Sequence, residues 1–274
     1  MPTSRDPESD ALPSFRLDGR LAVITGASDG IGRAFALAYG RSGAEVVLVS
    51  RTREKLLEVQ RSIESAGGKA HVIRADVGKV DDIRSVGREV SVILNDSSRD
   101  KGRNLALVLV NCAGFGFTKP ALDITEEDWD KVLDVHAKGT FFCCQSMAPL
   151  MIERGYGKII NLSSTWSVST DAGKSVYGAA KAGVSYLTAA LSTEWASLGV
   201  RVNAIAPTST LTESTSRSFR EDEARAQRLL TRIKLGRFAE PSDLVGAAVF
   251  LASPASDFVT GHTLFVDGGW HAAL

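Results

Sequence analysis

Cysteine, methionine and aromatic residues are scarce in this 274-residue chain: three Cys, three Met, and 7% Phe, Trp and Tyr together. Two of the cysteines are neighbours, Cys143 and Cys144, and the third, Cys112, lies in another segment, so neither a disulfide framework nor metal-ligand spacing exists. An excess of charge of one sign is missing too. Lys and Arg number 32, as do Asp and Glu, and at zero net charge no global field would recruit nucleic acid or an anionic membrane. No apolar run approaches the ~20 residues of a membrane span. The opening MPTSRDPESDALPS has no apolar segment of a secretory leader, and its polar, Pro-containing composition predicts a disordered tail over 1–14. These absences leave a cytoplasmic protein without metal, whose expected partners are a small molecule and further copies of itself.

What is present is enough for one full core. With 44% hydrophobic residues, the chain reads as a single domain over 15–274. Seven short β-rich runs recur: LAVITG (21–26), EVVLVS (45–50), AHVIRAD (70–76), LALVLVN (105–111), GKIINLSS (157–164), VRVNAIAP (200–207) and HTLFVDGG (262–269). Several are apolar along nearly their whole length, as in a parallel sheet covered on both faces. The stretches between them carry a 3.6-residue pattern, so the expected fold is a doubly wound α/β sheet of seven parallel strands. Two polar segments read as irregular. NDSSRDKGRN (95–104) is expected to be a surface loop, and TSTLTESTSRSF (208–219) lies where a substrate lid, extending over about 208–235, would cover the carboxyl ends of the strands.

The first strand leaves through TGASDGIG. Gly26, Gly30 and Gly32 permit a tight turn and close backbone approach, and the helix that follows offers free N–H groups to a pyrophosphate. The turn as a whole, with Ser28, Asp29 and Ile31, is therefore a candidate dinucleotide site. At the end of the second strand, where an acidic residue would select NAD, the chain has Ser50 and Arg51. Arg51 can bind a 2′-phosphate, which favours NADP(H) over NAD(H). Asp29 is an unfavourable charge in that place.

SVYGAAK (175–181) sets Tyr177 and Lys181 one turn apart on a helix face. An ammonium near a phenol favours the phenolate, which predicts a lowered Tyr177 pKa. Ser164 lies thirteen residues before Tyr177, at the end of the fifth strand. Taken in order, TGASDGIG, Asp76-Val77, NCAG (111–114), Ser164 with Tyr177-x-x-x-Lys181, Pro207 and the closing VTGHTLFVDGG resemble the short-chain dehydrogenase/reductase family in its compact, one-domain form. The likeness runs from about Leu17 to Trp270.

That resemblance implies roles. Tyr177 would be the general acid or base, Ser164 would hydrogen-bond the substrate oxygen, and Lys181 would tune Tyr177 and bind the nicotinamide ribose. Asp76 and Val77 would meet the adenine, and Asn111, Ala113 and Gly114 would line the adenosine. Pro207, the backbone near Thr210 and the Thr212 side chain would hold the nicotinamide. It also implies self-association as a dimer or tetramer, through helices near 126–151 and 175–199 and through the closing strand and tail. The chain departs at Cys112, where the family has a second Asn, and at Thr208, where it has Gly.

His136 lies on an inward helix face, and the resemblance puts it where the family has an asparagine that completes the catalytic set. Its carbonyl would hold a water leading from the lysine to solvent, and its side chain would steady a helix kink. If the imidazole takes part in the relay it should add a limb to the pH-rate profile that an asparagine lacks. Two other readings compete with a ketone reductase or alcohol dehydrogenase: a non-catalytic NADP(H) sensor, and an NAD-dependent sugar or polyol dehydrogenase.

Overall fold

Alternation along each strand decides what the sheet covers. The computed structural model describes residues 13–100, 102 and 104–273, so most of the tail expected over 1–14 lies outside the described residues. β1 (Arg20–Thr25), β2 (Glu45–Ser50), β3 (Lys69–Arg74), β4 (Ala106–Asn111), β5 (Gly157–Leu162), β6 (Val200–Pro207) and β7 (Thr263–Val266) form one sheet in the order β3-β2-β1-β4-β5-β6-β7. Every neighbouring pair is parallel. The seven expected strands are all there, with ends that differ by up to three residues.

Ala22, Ile24, Val46, Leu48, Val108 and Val110 point to one face, where α1 (Gly30–Arg41), α2 (Arg53–Ser65) and α9 (Pro241–Ala252) cover them. Leu21, Val23, Val47, Leu107 and Leu109 point to the other, beneath α3 (Val80–Asp100), α5 (Gly139–Glu153) and α6 (Ser175–Trp195). Both faces are buried, which is why the strands read as continuous apolar runs rather than as alternating ones. The chain reverses its order between β1 and β4, and the crevice above that switch point is where open α/β sheets take ligands.

Two expectations are corrected. The segment 95–104 is not a surface loop over its first part, because α3 continues through it to Asp100. Its polar side chains have tertiary partners that composition does not disclose: Arg154 donates to Asn95 Oδ1 at 2.8 Å, and buried Ser97 donates to Glu45. Nor is 208–219 irregular throughout. Thr212 N-caps α7 (Glu213–Glu221) in a reciprocal pair with Thr215, and α8 (Glu223–Leu230) follows. A Ser/Thr-rich sequence looks like a loop, yet here a threonine satisfies the free N–H groups that start a helix.

Candidate active site

The carboxyl ends of the strands open into a cleft of about 770 Å³. The glycine turn forms one end. Gly26 has φ +70°, and a Cβ there would lie 2.8 Å from Ala113 Cα; a Cβ on Gly32 would lie 2.3 Å from the Gly26 carbonyl oxygen. Only a hydrogen at Gly32 lets the first turn of α1 close on the chain that leads into it. Asp29 caps α1, accepting from Gly30 N at 2.6 Å, and Lys55 of α2 stands 3.5 Å from its other oxygen. The charge that looked unfavourable in sequence is thus shared with a lysine from the next helix.

Ser50 and Arg51 line the cleft where β2 ends, and Arg74 Nε donates to the Arg51 carbonyl at 3.1 Å. Asp76 and Val77 follow β3, and Asp76 Oδ1 accepts from Gly78 N at 3.0 Å. Ala113, Gly114, Pro207, Thr210 and Thr212 complete the wall, together with Ser28 and Ile31. Thr210 is fixed by a bridge to Ala239. The Thr212 hydroxyl is engaged as the α7 cap, accepting from Thr215 N at 3.3 Å, so its side chain serves that helix before any ligand. Asn111 is the exception among the expected cofactor residues. Its amide donates to Asn161 Oδ1 at 2.9 Å and lies 3.2 Å from Cys144 Sγ, beneath the cleft floor, where it ties β4 to β5. The last residue of a parallel strand points to one face or the other by parity, and Asn111 points into the core.

The chemistry-bearing side chains meet at the centre. Ser164 leaves β5 and caps a short 3₁₀ turn, accepting from Trp166 N at 3.2 Å. The Tyr177 phenol faces the same cleft as Ser164. Lys181 Nζ donates to the Leu162 carbonyl at 2.6 Å and stands 5.8 Å from the Tyr177 ring centroid. The expected lowering of the Tyr177 pKa is not what the structure gives. Burial pushes the phenol up to about 12, against the opposing influence of Ser164, and pushes the Lys181 ammonium down to about 8. Desolvation of both groups outweighs their attraction across that distance.

His136 sits in a π turn, Asp134–Lys138, between α4 (Glu126–Leu133) and α5. Such a turn is the kind of distortion expected there. The ring is 2% exposed; Nε2 lies 3.0 Å from the Phe115 carbonyl oxygen, and the ring stands edge-on to Tyr177 with centroids 5.2 Å apart. The His136 carbonyl accepts from Thr140 Oγ1 at 2.7 Å. Burial, with a smaller contribution from the Lys181 charge, pushes the imidazole down to about 2. The imidazole is therefore neutral throughout the working range, and the pH limb anticipated from its ordinary pKa is withdrawn. The pH-rate profiles of the parent and of His136→Asn should superimpose from pH 6 to 9, and a near-neutral limb seen in the parent alone would overturn this assignment.

Sequence reasoning missed the other end of the cleft. Phe115, Thr118, Trp166, Lys174 and Arg225 line it, beside Phe219, which the sequence did offer as a pocket residue. Trp166 packs on Trp270 with centroids 5.3 Å apart, and Leu229, Ile233, Phe219 and Phe238 join them, so the closing segment and the α7–α8 pair meet over Tyr177. Lys174, three residues before Tyr177, was the available signal, but a lysine at a helix start ordinarily reads as a solvated charge. Among the described residues, no group of three or more His, Cys, Asp or Glu side chains is placed to hold a metal, and no helix is long and apolar enough to cross a membrane.

Comparison with known proteins agrees with this geometry. A family model described as enoyl-(acyl carrier protein) reductase matches residues 26–271. The chain is 37% identical over 262 residues to a 2-dehydro-3-deoxy-D-gluconate 5-dehydrogenase of Escherichia coli, covering 95% of this chain and 99% of the relative. It is 36% identical over 254 residues to a 3-oxoacyl-(acyl-carrier-protein) reductase of Staphylococcus aureus, covering 91% and 97%. Among solved structures, a gluconate 5-dehydrogenase from Burkholderia cenocepacia in complex with NADP and tartrate superimposes with a TM-score of 0.85 at 37% identity, covering 95% of this chain and 98% of the other.

Proposed function

Because the chain belongs to the short-chain dehydrogenase/reductase family, we propose that it is an NADP(H)-dependent oxidoreductase that interconverts a ketone and a secondary alcohol. The convergence of Ser164, Tyr177 and Lys181 on the cleft that begins at the glycine turn carries this reading. A protein that only binds nucleotide has no use for all three.

The cleft suits the cofactor. The N-terminus of α1 opens into it, Arg51 stands at its rim, and the hydroxyl of Thr208 is buried on its wall without a partner among the described residues, a polar atom that a carboxamide would satisfy. The glycine turn would hold the pyrophosphate, Arg51 the 2′-phosphate, Asp76 and Val77 the adenine, Ala113 and Gly114 the adenosine, and Pro207, Thr208 and Thr210 the nicotinamide. When bound, NADP(H) supplies or accepts the hydride. In reduction, Tyr177 gives its proton to the carbonyl oxygen while Ser164 donates a hydrogen bond to the same atom, and the product is the alcohol. A phenol held near 12 keeps that proton at neutral pH. Lys181, held by the Leu162 carbonyl, would steady the ribose hydroxyls and lead a replacement proton toward Tyr177. His136 would act through its carbonyl and through the π turn it anchors, not by titrating.

Segment 208–235 serves in this reading as the substrate lid. The enzyme would be cytoplasmic and would self-associate as a dimer or tetramer, with α4 and α6 carrying exposed Trp129 and Tyr186 into the contact; sedimentation that finds only monomer at micromolar concentration would remove the association. The activity is tested by initial rates of NADPH oxidation over acyl thioester, sugar, cyclic and diketone substrates. Tight NADPH binding with no turnover would leave the sensor in its place. Arg51→Ala should cut the NADPH-over-NADH preference in kcat/KM by roughly 10–100-fold, the worth of charge-assisted hydrogen bonds to one phosphate. An unchanged ratio would move 2′-phosphate recognition elsewhere.

A further inference from the structure

Two cations at the far end of the cleft have no part in hydride transfer. Lys174, at the start of α6, is 7% exposed, and its Nζ donates to Phe117 O and to Thr118 Oγ1 at 2.7 Å each. The ammonium stands 5.2 Å from the Tyr177 ring centroid and 5.8 Å from that of Trp166. Arg225 of α8 reaches the same point from the lid, and its Nη2 donates to Thr118 Oγ1 at 3.2 Å. One hydroxyl thus receives both positive groups.

The nearby acids do not neutralise them. Asp171 lies 3.5 Å from Arg228, Asp222 accepts from the Arg225 main-chain N–H as the cap of α8, and Glu221 is exposed at the lip. Among the described residues, no carboxylate lies within 4.0 Å of the Lys174 ammonium or the Arg225 guanidinium. Burial pushes Lys174 down to about 8, the Arg225 charge adds to the effect, and the Asp171 charge opposes it only in part. A buried ammonium surrounded by neutral acceptors opposes folding, and its place in a cleft beside a catalytic phenol points to a ligand that supplies the missing charge.

We propose that Lys174 and Arg225 bind a carboxylate, so that the substrate is a short hydroxy or oxo acid whose reacting carbon lies at Tyr177. The proposal deepens the oxidoreductase reading and rests on it. Thr118 is placed to hold the two donors apart for the two oxygens of one carboxylate. A dianion fits less well, because Asp222 and Glu221 already bring negative charge to the rim. The Lys174 ammonium stands over the Tyr177 ring, which favours a short spacer between the acid and the reacting carbon, and Thr118, Ser214 and Ser218 on the wall suit a hydroxylated chain.

The test uses matched pairs of aldonates and alditols, D-gluconate with D-glucitol and D-galactonate with galactitol, oxidised with NADP⁺ by the full-length protein. 6-Phosphogluconate and cyclohexanol extend the panel. We expect an aldonate to exceed its alditol in kcat/KM. Lys174→Met and Arg225→Gln should each reduce that ratio by about 30-fold, mostly through KM, as for a lost charge-assisted hydrogen bond. Lys174→Arg should recover most of it, and the NADP⁺ dissociation constant of each variant, close to the parent's, would show that the fold is intact. Calorimetric titration of the NADP⁺-loaded protein with D-gluconate gives a readout independent of turnover. Equal rates for acid and alcohol, a preference for the phosphorylated acid, or variants that weaken both members of a pair alike would overturn the carboxylate site while leaving the oxidoreductase intact. Gluconate binding that is lost in Lys174→Met, with no substrate of any class turned over, would do the reverse.

Discussion

Tyr177→Phe should lose about 10³-fold or more in kcat with any substrate the parent reduces, a loss in the upper part of the range for removing a general acid. The substitution deletes one oxygen from a partly buried ring and leaves the packing against His136 and the cluster around Trp166 in place. Stability should therefore change little, since the substitution removes one polar oxygen and keeps the apolar packing of the ring. NADPH affinity should stay within a few-fold of the parent, because the glycine turn, Arg51 and Lys181 are untouched. The pairing of lost turnover with kept binding is what distinguishes a proton donor from a structural tyrosine. In the oxidative direction the parent should gain rate from pH 7 to pH 9, because the base is the phenolate and burial holds the phenol up near 12. A Tyr177→Phe enzyme that retains a tenth of the parent rate would sink the assignment.

Gly32→Ala carries the second large effect. Its Cβ would lie 2.3 Å from the Gly26 carbonyl oxygen and 2.7 Å from the carbonyl carbon, and both are main-chain atoms that no rotamer change can move aside. Relief requires α1 to shift away from the turn, and α1 is packed through Phe35, Ala36 and Tyr39 into the core that also holds α9. The expected cost is about 2–4 kcal/mol of stability, the scale of forced overpacking, together with loss of NADPH binding by more than 100-fold as the N–H groups of the helix start are re-aimed. Differential scanning calorimetry and fluorescence titration with NADPH measure the two losses separately. Unchanged NADPH affinity in a folded Gly32→Ala protein would show that the turn does not cradle the cofactor. Gly102, around which a Cβ would meet nothing within 4 Å, shows the contrast: glycine there reflects its φ of +60° rather than close approach.

The sequence alone was sufficient for the sheet and for most of the residues that meet in its cleft, and the reason is that both are written in local pattern. The central strands β1, β2 and β4 are legible because a strand buried on both faces has few polar positions to confuse it, whereas the edge strand β3 alternates in exposure. TGASDGIG and the Tyr177-Lys181 spacing are short-range constraints of backbone turn and helix period, and the cleft that they imply gathers Ser164, Tyr177, Lys181 and His136 together with all the expected cofactor residues except Asn111. What only the tertiary structure decided depends on partners remote in sequence. Ser97 is helical and buried because Glu45 lies across from it, Asn111 belongs to the core because Asn161 accepts its amide, and Asp29 is tolerated because Lys55 comes beside it from the next helix. The charge states followed the same rule. Residue identity suggested a lowered phenol and a titrating imidazole, whereas enclosure raised the one and silenced the other, since desolvation is set by everything packed around a group. Lys174 and Arg225 are separated by fifty residues and share one threonine hydroxyl only because α8 folds back over the start of α6, and that meeting belongs to the fold alone.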